Sequence, residues 1–278
     1  MPHSTWLVTG ASSGFGKSLA LQALAAGFKV IATTRDVAKA QAEVPDFAAR
    51  GGTWLGLDPG SEDAFEQFSK VSQEYGGIDV LVNNAGYAFI VRDQMNVNFY
   101  GPLRTVKACL PAMRSKGSGH IVLISSGAGF IARPGRSTYS ASKFAIEAAH
   151  ESLSYEVRPL GIKVLIVEPG AFRTPFSSRI RTPAQHEATG GYSKAYKDTP
   201  VGAMIQVMAA MRGPLPSAVK GDPEKAATAI IRAVVDGHDD YLRLPLGTDS
   251  VLALEDKIGQ LQSDLEKTRA VCTAMDVD

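Results

Sequence analysis

Along the chain, short apolar runs alternate with longer stretches in which apolar residues recur every three or four positions. Residues 6–8, 30–32, 53–57, 79–82, 120–124 and 162–167 read as strands. Between them, helical periodicity covers the stretch after a Gly-rich turn up to Ala26, then a stretch to about Arg50, then 64–75, a helix ending near Met113, and 138–157. Strand–helix alternation of this kind predicts a parallel sheet covered on both faces, a doubly wound α/β architecture. The near-continuous apolar character of 121–124 and 164–167 fits strands buried on both sides.

The pattern changes after Gly170. Residues 171 to about 200 are rich in Thr, Ser, Gly and Tyr and lack periodicity, which predicts a long functional loop or lid. An apolar, Met-rich helix follows over 201–211, periodicity resumes over 224–235, and 241–244 reads as a last strand. One domain is therefore expected: 1–170 as core, 171–220 as lid, and 221–278 as the last helix, strand and C-terminal helix. In the tail, Val251, Leu254, Ile258, Leu261 and Leu265 recur at spacings of three and four. That is a short heptad-like seam, read here as a helix packed on its own domain.

Composition narrows the function classes. The 278 residues carry 29 Lys+Arg against 28 Asp+Glu, a formal net charge of +1. A chain without a basic field is not an electrostatic nucleic-acid binder. No apolar run reaches the roughly 18 residues of a membrane helix, so no membrane span is expected. The first strand-like run begins by Thr5, so no secretory signal is expected. Cys109 and Cys272 alone form no disulfide framework, and a reducing, cytoplasmic setting is expected. The five His show no ligand spacing, so no metal site is expected.

Candidate chemistry starts at residues 9–16, TGASSGFG, which close the first strand and open a helix. Gly10, Gly14 and Gly16 allow a tight turn, and free helix N–H groups with a positive dipole end suit a phosphate. The spacing is not GxGxxG, and a plain Gly turn would look similar. ASSGFGKS at 11–18 also lies one residue from a P-loop, with Lys17 and Ser18 in the phosphate and magnesium roles. A P-loop needs an acidic residue ending a later strand. The fourth strand instead runs into Asn83-Asn84-Ala85-Gly86 and the fifth into Ser125-Ser126, so the hydrolase reading is set aside.

Tyr139 and Lys143 are four apart and share a helix face. An ammonium beside a phenol favours the phenolate, bringing Tyr139 toward use as a general acid or base. Ser126 ends a neighbouring strand, where α/β sheets bind ligands. Singly, such residues are ordinary packing and surface groups; together with the Gly turn they form a constellation.

With these motifs in order, the sequence resembles the short-chain dehydrogenase/reductase family, specifically its NADP-preferring carbonyl, hydroxysteroid and retinol dehydrogenase-like branch. The likeness runs from about residue 4 to 175. It implies a Rossmann-like fold with a seven-stranded parallel sheet. TGASSGFG is similar to the family's cofactor turn, which implies contacts from Gly10, Ser12, Ser13, Gly14, Phe15 and Gly16. Asp58 stands where an acid meets adenine, and Asn84, Ala85 and Gly86 lie in the NNAG motif. Asn98 in NVNFYG, Ser126 in ISSGAG, and Tyr139 with Lys143 in YSASK match the catalytic set. Pro169, Gly170 and Thr174 match the segment that holds the nicotinamide carboxamide. The resemblance further implies that Lys143 binds ribose, that Asn98 positions a water linking Lys143 to solvent, and that a homodimer forms through the fourth and fifth helices.

Cofactor preference is read at the end of the second strand, Thr34-Arg35-Asp36. NAD sites usually place an acid there for the ribose 2′-OH, whereas this position is the neutral Thr34. Arg35 can pair with a 2′-phosphate, which favours NADP(H). A register error of one residue would turn Asp36 into an NAD signal. The family's basic residue before the second turn Gly is absent, and Ser13 stands there.

The sequence departs from the family between Gly86 and Asn98, a segment shorter by about three helical turns. Either the cleft is more open on that side or Asn98 is displaced; the intact catalytic set favours the open cleft. Val201, Met204, Ile205, Met208 and Met211 form an apolar face that suits either a pocket wall or plain core. Phe172, Phe176 and Tyr192 would add aromatic surface. The expected function is NADPH-dependent interconversion of a bulky apolar ketone or aldehyde, of steroid-, retinoid- or polyketide-like kind, and its alcohol. The alternatives are a non-redox cyclase or isomerase on the same scaffold, and an NADP(H)-sensing binding protein.

Overall fold

The computed structural model describes residues 4–86, 91–176, 193–210 and 219–274. Seven strands form one parallel sheet in the order β3-β2-β1-β4-β5-β6-β7. They are β1 (Thr5–Val8), β2 (Lys29–Thr34), β3 (Gly52–Gly56), β4 (Val80–Asn83), β5 (Gly119–Ile124), β6 (Ile162–Pro169) and β7 (Arg243–Leu246). The expected doubly wound, Rossmann-like architecture is what the chain forms.

The double-sided burial follows from period-two alternation. Trp6, Val8, Val30, Ala32, Val80, Val82, Val122, Leu165 and Val167 face one core. The intervening Leu7, Ile31, Leu81, Ile121 and Val164 face the other. The first core is closed by α1 (Gly14–Ala25) and α8 (Pro223–Asp236), which supply Leu19, Ala23, Ala227 and Ile230. On the second face lie α3 (Ala64–Glu74) and α5 (Gly101–Lys116), with Phe68, Val106 and Met113. Ile146 of α6 (Ser137–Val157) packs beside them on Leu123 and Ile166.

Two helices differ from the sequence reading. The second, α2, spans only Val37–Glu43 rather than reaching Arg50. Pro45 follows Val44, and the residue before a proline is pushed out of the helical region. Phe47 then turns inward onto Trp54, with ring centroids 4.4 Å apart.

The C-terminal helix, α9 (Thr248–Thr273), was expected to pack on its own domain, and it does so only at its start. The Ser250 hydroxyl donates to the Glu168 carbonyl at 2.8 Å, and the Asp249 carboxylate accepts from the Ala171 N–H at 2.7 Å. Beyond that, Ile258, Leu261 and Leu265 are about half exposed to solvent. Both sheet faces are already covered by α1, α8, α3, α5 and α6, so among the described residues the sheet leaves α9 no face to close.

Helix α4 (Val91–Met95) follows the short segment after Gly86; residues 87–90 lie outside the described residues. A π-helical turn, Asn96–Tyr100, joins α4 to α5. Such turns often sit at functional positions, and this one carries Asn98. Of the expected lid, 177–192 and 211–218 lie outside the described residues, and with them Tyr192 and Met211. Its edges are tied together: Phe172 bridges to Gly221, and the Arg173 guanidinium donates to the Val219 carbonyl at 2.9 Å.

Candidate active site

The site forms at the carboxyl ends of the strands, where the order reverses between β1 and β4, the place such sheets bind ligands. Gly10 and Gly14 both adopt left-handed backbone, with φ of 65° and 58°. A side chain at Gly10 would put its Cβ 2.9 Å from the Ala85 Cα, so the turn and the NNAG segment touch only because glycine is there. Asn84 clamps the contact. Its side-chain amide donates to the Thr9 carbonyl at 2.8 Å and the Gly10 carbonyl at 3.1 Å. In return the Thr9 hydroxyl accepts from the backbone N–H groups of Asn84 and Ala85, each at 3.0 Å. Asn84 thus braces the turn with its side chain, and Thr9, which the sequence reading passed over, is its partner.

The P-loop alternative finds no support. The Lys17 ammonium reaches Glu43 of α2 at 3.4 Å, and the buried Ser18 hydroxyl donates to the Glu224 carboxylate at 2.5 Å.

Around this turn the other cofactor candidates converge. Thr174 lies over Gly14, and the Phe172 ring meets Phe15 edge-on at 4.9 Å. Gly170 sits against the Asp249 carboxylate, where no side chain would fit. Ser13, in extended backbone, opens α1, and Ser12 precedes it in the turn. At the far end, Arg35 and Asp58 line one hollow of about 240 Å³ with Gly56, Leu57, Ser61 and Gln67. Thr34 is buried and its hydroxyl accepts from the Asp36 N–H at 3.2 Å. Asp36 caps α2, accepting from the Lys39 N–H at 3.0 Å. Asp58 accepts from the Gly60 N–H at 2.8 Å, a turn consistent with Pro59.

The catalytic candidates meet on α6. Tyr139 and Lys143 are both about 5% exposed. Tyr139 lies beside Ser126, whose hydroxyl draws the phenol pKa down, and its ring lies 6.0 Å from that of Phe176. The Lys143 ammonium donates to the Ile124 carbonyl at 3.0 Å. Asn98 is buried, and its side-chain amide donates to the Ser142 hydroxyl at 3.1 Å. A Cβ at Gly86 would stand 3.2 Å from the Asn98 oxygen and 3.7 Å from the Lys143 nitrogen. Both groups therefore point at one backbone position, and the short segment has not carried Asn98 away from the site.

The electrostatics differ from the sequence reading. Lys143 was expected to lower the Tyr139 pKa. Burial instead pushes the phenol above its ordinary value, opposed by the Arg136 guanidinium, 4.9 Å from the ring, and by the Ser126 hydroxyl. Burial also lowers Lys143 to about 8, opposed by Glu147. The lysine is bonded to a carbonyl and faces Glu147, so its charge acts there.

Sequence reasoning missed Arg136, which stands just ahead of α6, and Glu147, for which helical spacing held the signal, four residues after Lys143. The buried Glu147 carboxylate accepts from Ser125, the hydroxyl beside Ser126, and pairs with Arg243 at 2.6 Å. Arg243 also holds Glu151 at 2.8 Å and the fully buried Glu168. The floor under Lys143 is a fixed ionic cluster.

The sequence profile described as short chain dehydrogenase matches residues 4–185. This chain belongs to the short-chain dehydrogenase family. An oxidoreductase of Passalora fulva, claN, is 45% identical over 198 residues, 67% of this chain and 90% of that one. An uncharacterized oxidoreductase of Bacillus subtilis, YusZ, is 33% identical over 268 residues, 89% and 90% of the two chains. The crystal structure of a short-chain dehydrogenase from Streptomyces avermitilis superposes with a TM-score of 0.82 at 37% identity, covering 100% of each chain. The protein is thus an oxidoreductase of a family that works with a nicotinamide cofactor. Among the described residues no helix is long and apolar enough to cross a membrane, and no cluster of His, Cys, Asp and Glu fits a metal ion.

Proposed function

We propose that the enzyme uses NADP(H) to interconvert a bulky apolar ketone or aldehyde and its alcohol. The observation that carries this reading is the buried Tyr139 phenol beside Ser126, whose hydroxyl draws its pKa down, with Lys143 buried one helical turn further on. The left-handed Gly10 and Gly14, where an added Cβ would press on Ala85 and Thr174, keep the turn close against the start of α1 and fit a dinucleotide's pyrophosphate there. Arg35 and Asp58 would take the adenosine end. Asp36 is occupied as the α2 cap, which leaves Arg35 as the charged group for the ribose and supports a 2′-phosphate. Pro169, Gly170 and Thr174 would hold the carboxamide end.

The bound nicotinamide supplies the hydride donor or acceptor. The chain's own residues handle the oxygen and the proton. Ser126 and Tyr139 form a pair of hydroxyls that fixes a carbonyl oxygen between them. With its pKa raised, Tyr139 is a protonated phenol at neutral pH, suited to give its proton to the oxygen in the reductive direction. Lys143 and Asn98, aimed at one point above Gly86, form the route by which that proton is restored.

Support for a bulky apolar substrate comes from α7 (Pro200–Ala210). Only Gly202 of this helix is buried, so its Val201, Met204, Ile205 and Met208 stripe is not interior core. Val201 and Ile205 lie against Gly135, ahead of the helix that carries Tyr139. Phe176 extends the same apolar wall to Tyr139. Pairing of two copies through α5 and α6, the fourth and fifth helical stretches of the sequence, with Phe144 and Tyr155 exposed on α6, and a reducing cytoplasmic setting complete the reading.

The test is NADPH and NADH consumption against paired bulky and small carbonyls. Turnover of bulky ketones with NADPH, at least tenfold above acetone-sized substrates, is expected. Tight NADPH binding without consumption across the panel would contradict the reading.

A further inference from the structure

Helix α9 is 26 residues long, about 39 Å, and leaves the body after its first turn. Helices in proteins owe most of their stability to packing of an apolar face, yet this one presents its face to water. Val251, Leu254, Ile258, Leu261 and Leu265 line one stripe at alternating spacings of three and four, and Thr268 and Cys272 continue it. Val251, Ile258, Leu261 and Leu265 are 38% to 54% exposed, and Leu254 is half-buried. In heptad terms Val251, Ile258, Leu265 and Cys272 occupy the first core position, and Leu254, Leu261 and Thr268 the second.

The charges beside the stripe identify the occupant. Glu255, Gln262 and Arg269 flank it on one side, and Lys257, Asp264 and Val271 on the other. With a second copy running antiparallel, Ile258 meets the partner's Leu261, Leu254 the partner's Leu265, and Val251 the partner's Thr268. That single register brings Lys257 beside the partner's Asp264 and Glu255 beside the partner's Arg269, each twice by symmetry. A parallel, in-register pair matches Asp264 with the partner's Arg269 but sets Lys257 against the partner's Gln262, half as many opposite-charge pairs. Flanking charges of this kind set the orientation of paired helices. An anionic lipid surface does not fit, because α9 carries five acidic residues against three basic ones.

We propose that α9 is a dimerisation helix, pairing antiparallel with the α9 of a second copy of this chain. The overlap spans residues 251–268, about two and a half heptads on each helix, and holds the two catalytic bodies at opposite ends of the pair. This surface is separate from the α5–α6 face and does not depend on the substrate reading.

Two experiments on the full chain test it. Ile258→Lys with Leu261→Lys should halve the mass measured by light scattering, while the thermal melt and NADPH binding stay unchanged, since neither side chain belongs to the core or the site. A monomeric wild type, or a variant of unchanged mass, overturns the proposal. Orientation is read by disulfide trapping in a Cys272→Ser background. Leu254→Cys with Leu265→Cys should give a covalent dimer with diamide, and Leu265→Cys alone should not, because antiparallel pairing sets the two copies of residue 265 about 16 Å apart along the axis. Trapping by the single variant, or by neither, overturns the antiparallel arrangement.

Discussion

Arg35 shows what a residue's neighbours add to its chemistry. In the sequence, Thr34-Arg35-Asp36 permitted either cofactor, because one residue of register exchanges an acid for a base. In the structure Asp36 is committed to the α2 N-terminus, and Arg35 stands exposed at a hollow shared with Asp58. Arg35→Ala should therefore raise the KM for NADPH about 10- to 100-fold, the loss of one charge-assisted phosphate contact, and leave that for NADH within about twofold. Equal effects on the two cofactors would show that Arg35 does not read the 2′-phosphate. At this scale the sequence was legible wherever a motif fixes a side chain's partner, as with Tyr139 and Ser126. It was silent on Arg136, since a surface-looking arginine ahead of a helix carries no motif, and on the balance by which burial outweighs charge at Tyr139.

At the scale of elements, the β1–α1 turn depends on a side chain 74 residues away. Two carbonyls of the turn have the Asn84 amide as donor. Asn84→Ala should lower stability by about 1–3 kcal/mol in urea denaturation and weaken NADPH binding, by leaving those carbonyls without a partner. Wild-type stability and affinity together would mean that the turn holds itself. Strands were legible in the sequence to within one or two residues, because double-sided burial forces continuous apolar runs. Helix ends were less so: α2 stops early at Pro45, a signal present in the sequence but outvoted by periodicity beyond it. The seam of α9 was legible, but its exposure was not. Periodicity says that a face is apolar, and only the finished sheet shows that its own faces are already covered by other helices.

Across the whole molecule, buried ionisable groups couple the fold to pH. His120 and His150 are held neutral by burial, each lowered to about 4. Unfolding frees them to bind protons below about pH 6.5, so stability falls as pH drops from 6.5 toward 4. Glu168 works the other way. Burial beside Glu147 raises it to about 7, so it favours the folded state increasingly as pH falls from 7 to 4.5. The two histidines outweigh the one glutamate, for a net loss on the order of 2 kcal/mol between pH 7 and 4.5. His150→Gln should shrink that difference in urea denaturation; a stability independent of pH over this window would contradict the assignment. The ionic cluster of Glu147, Glu168 and Arg243 also ties α6 to β6 and β7 beneath Lys143, so the site and the core share one framework. The central claim is that Tyr139 delivers the proton in carbonyl reduction. Its most direct test is ketone-dependent NADPH oxidation by wild type and Tyr139→Phe, with NADPH affinity measured on both. Removing only the hydroxyl should cut kcat by about 10²- to 10⁴-fold at unchanged NADPH affinity, whereas a variant that turns over at the wild-type rate would show that the proton comes from elsewhere.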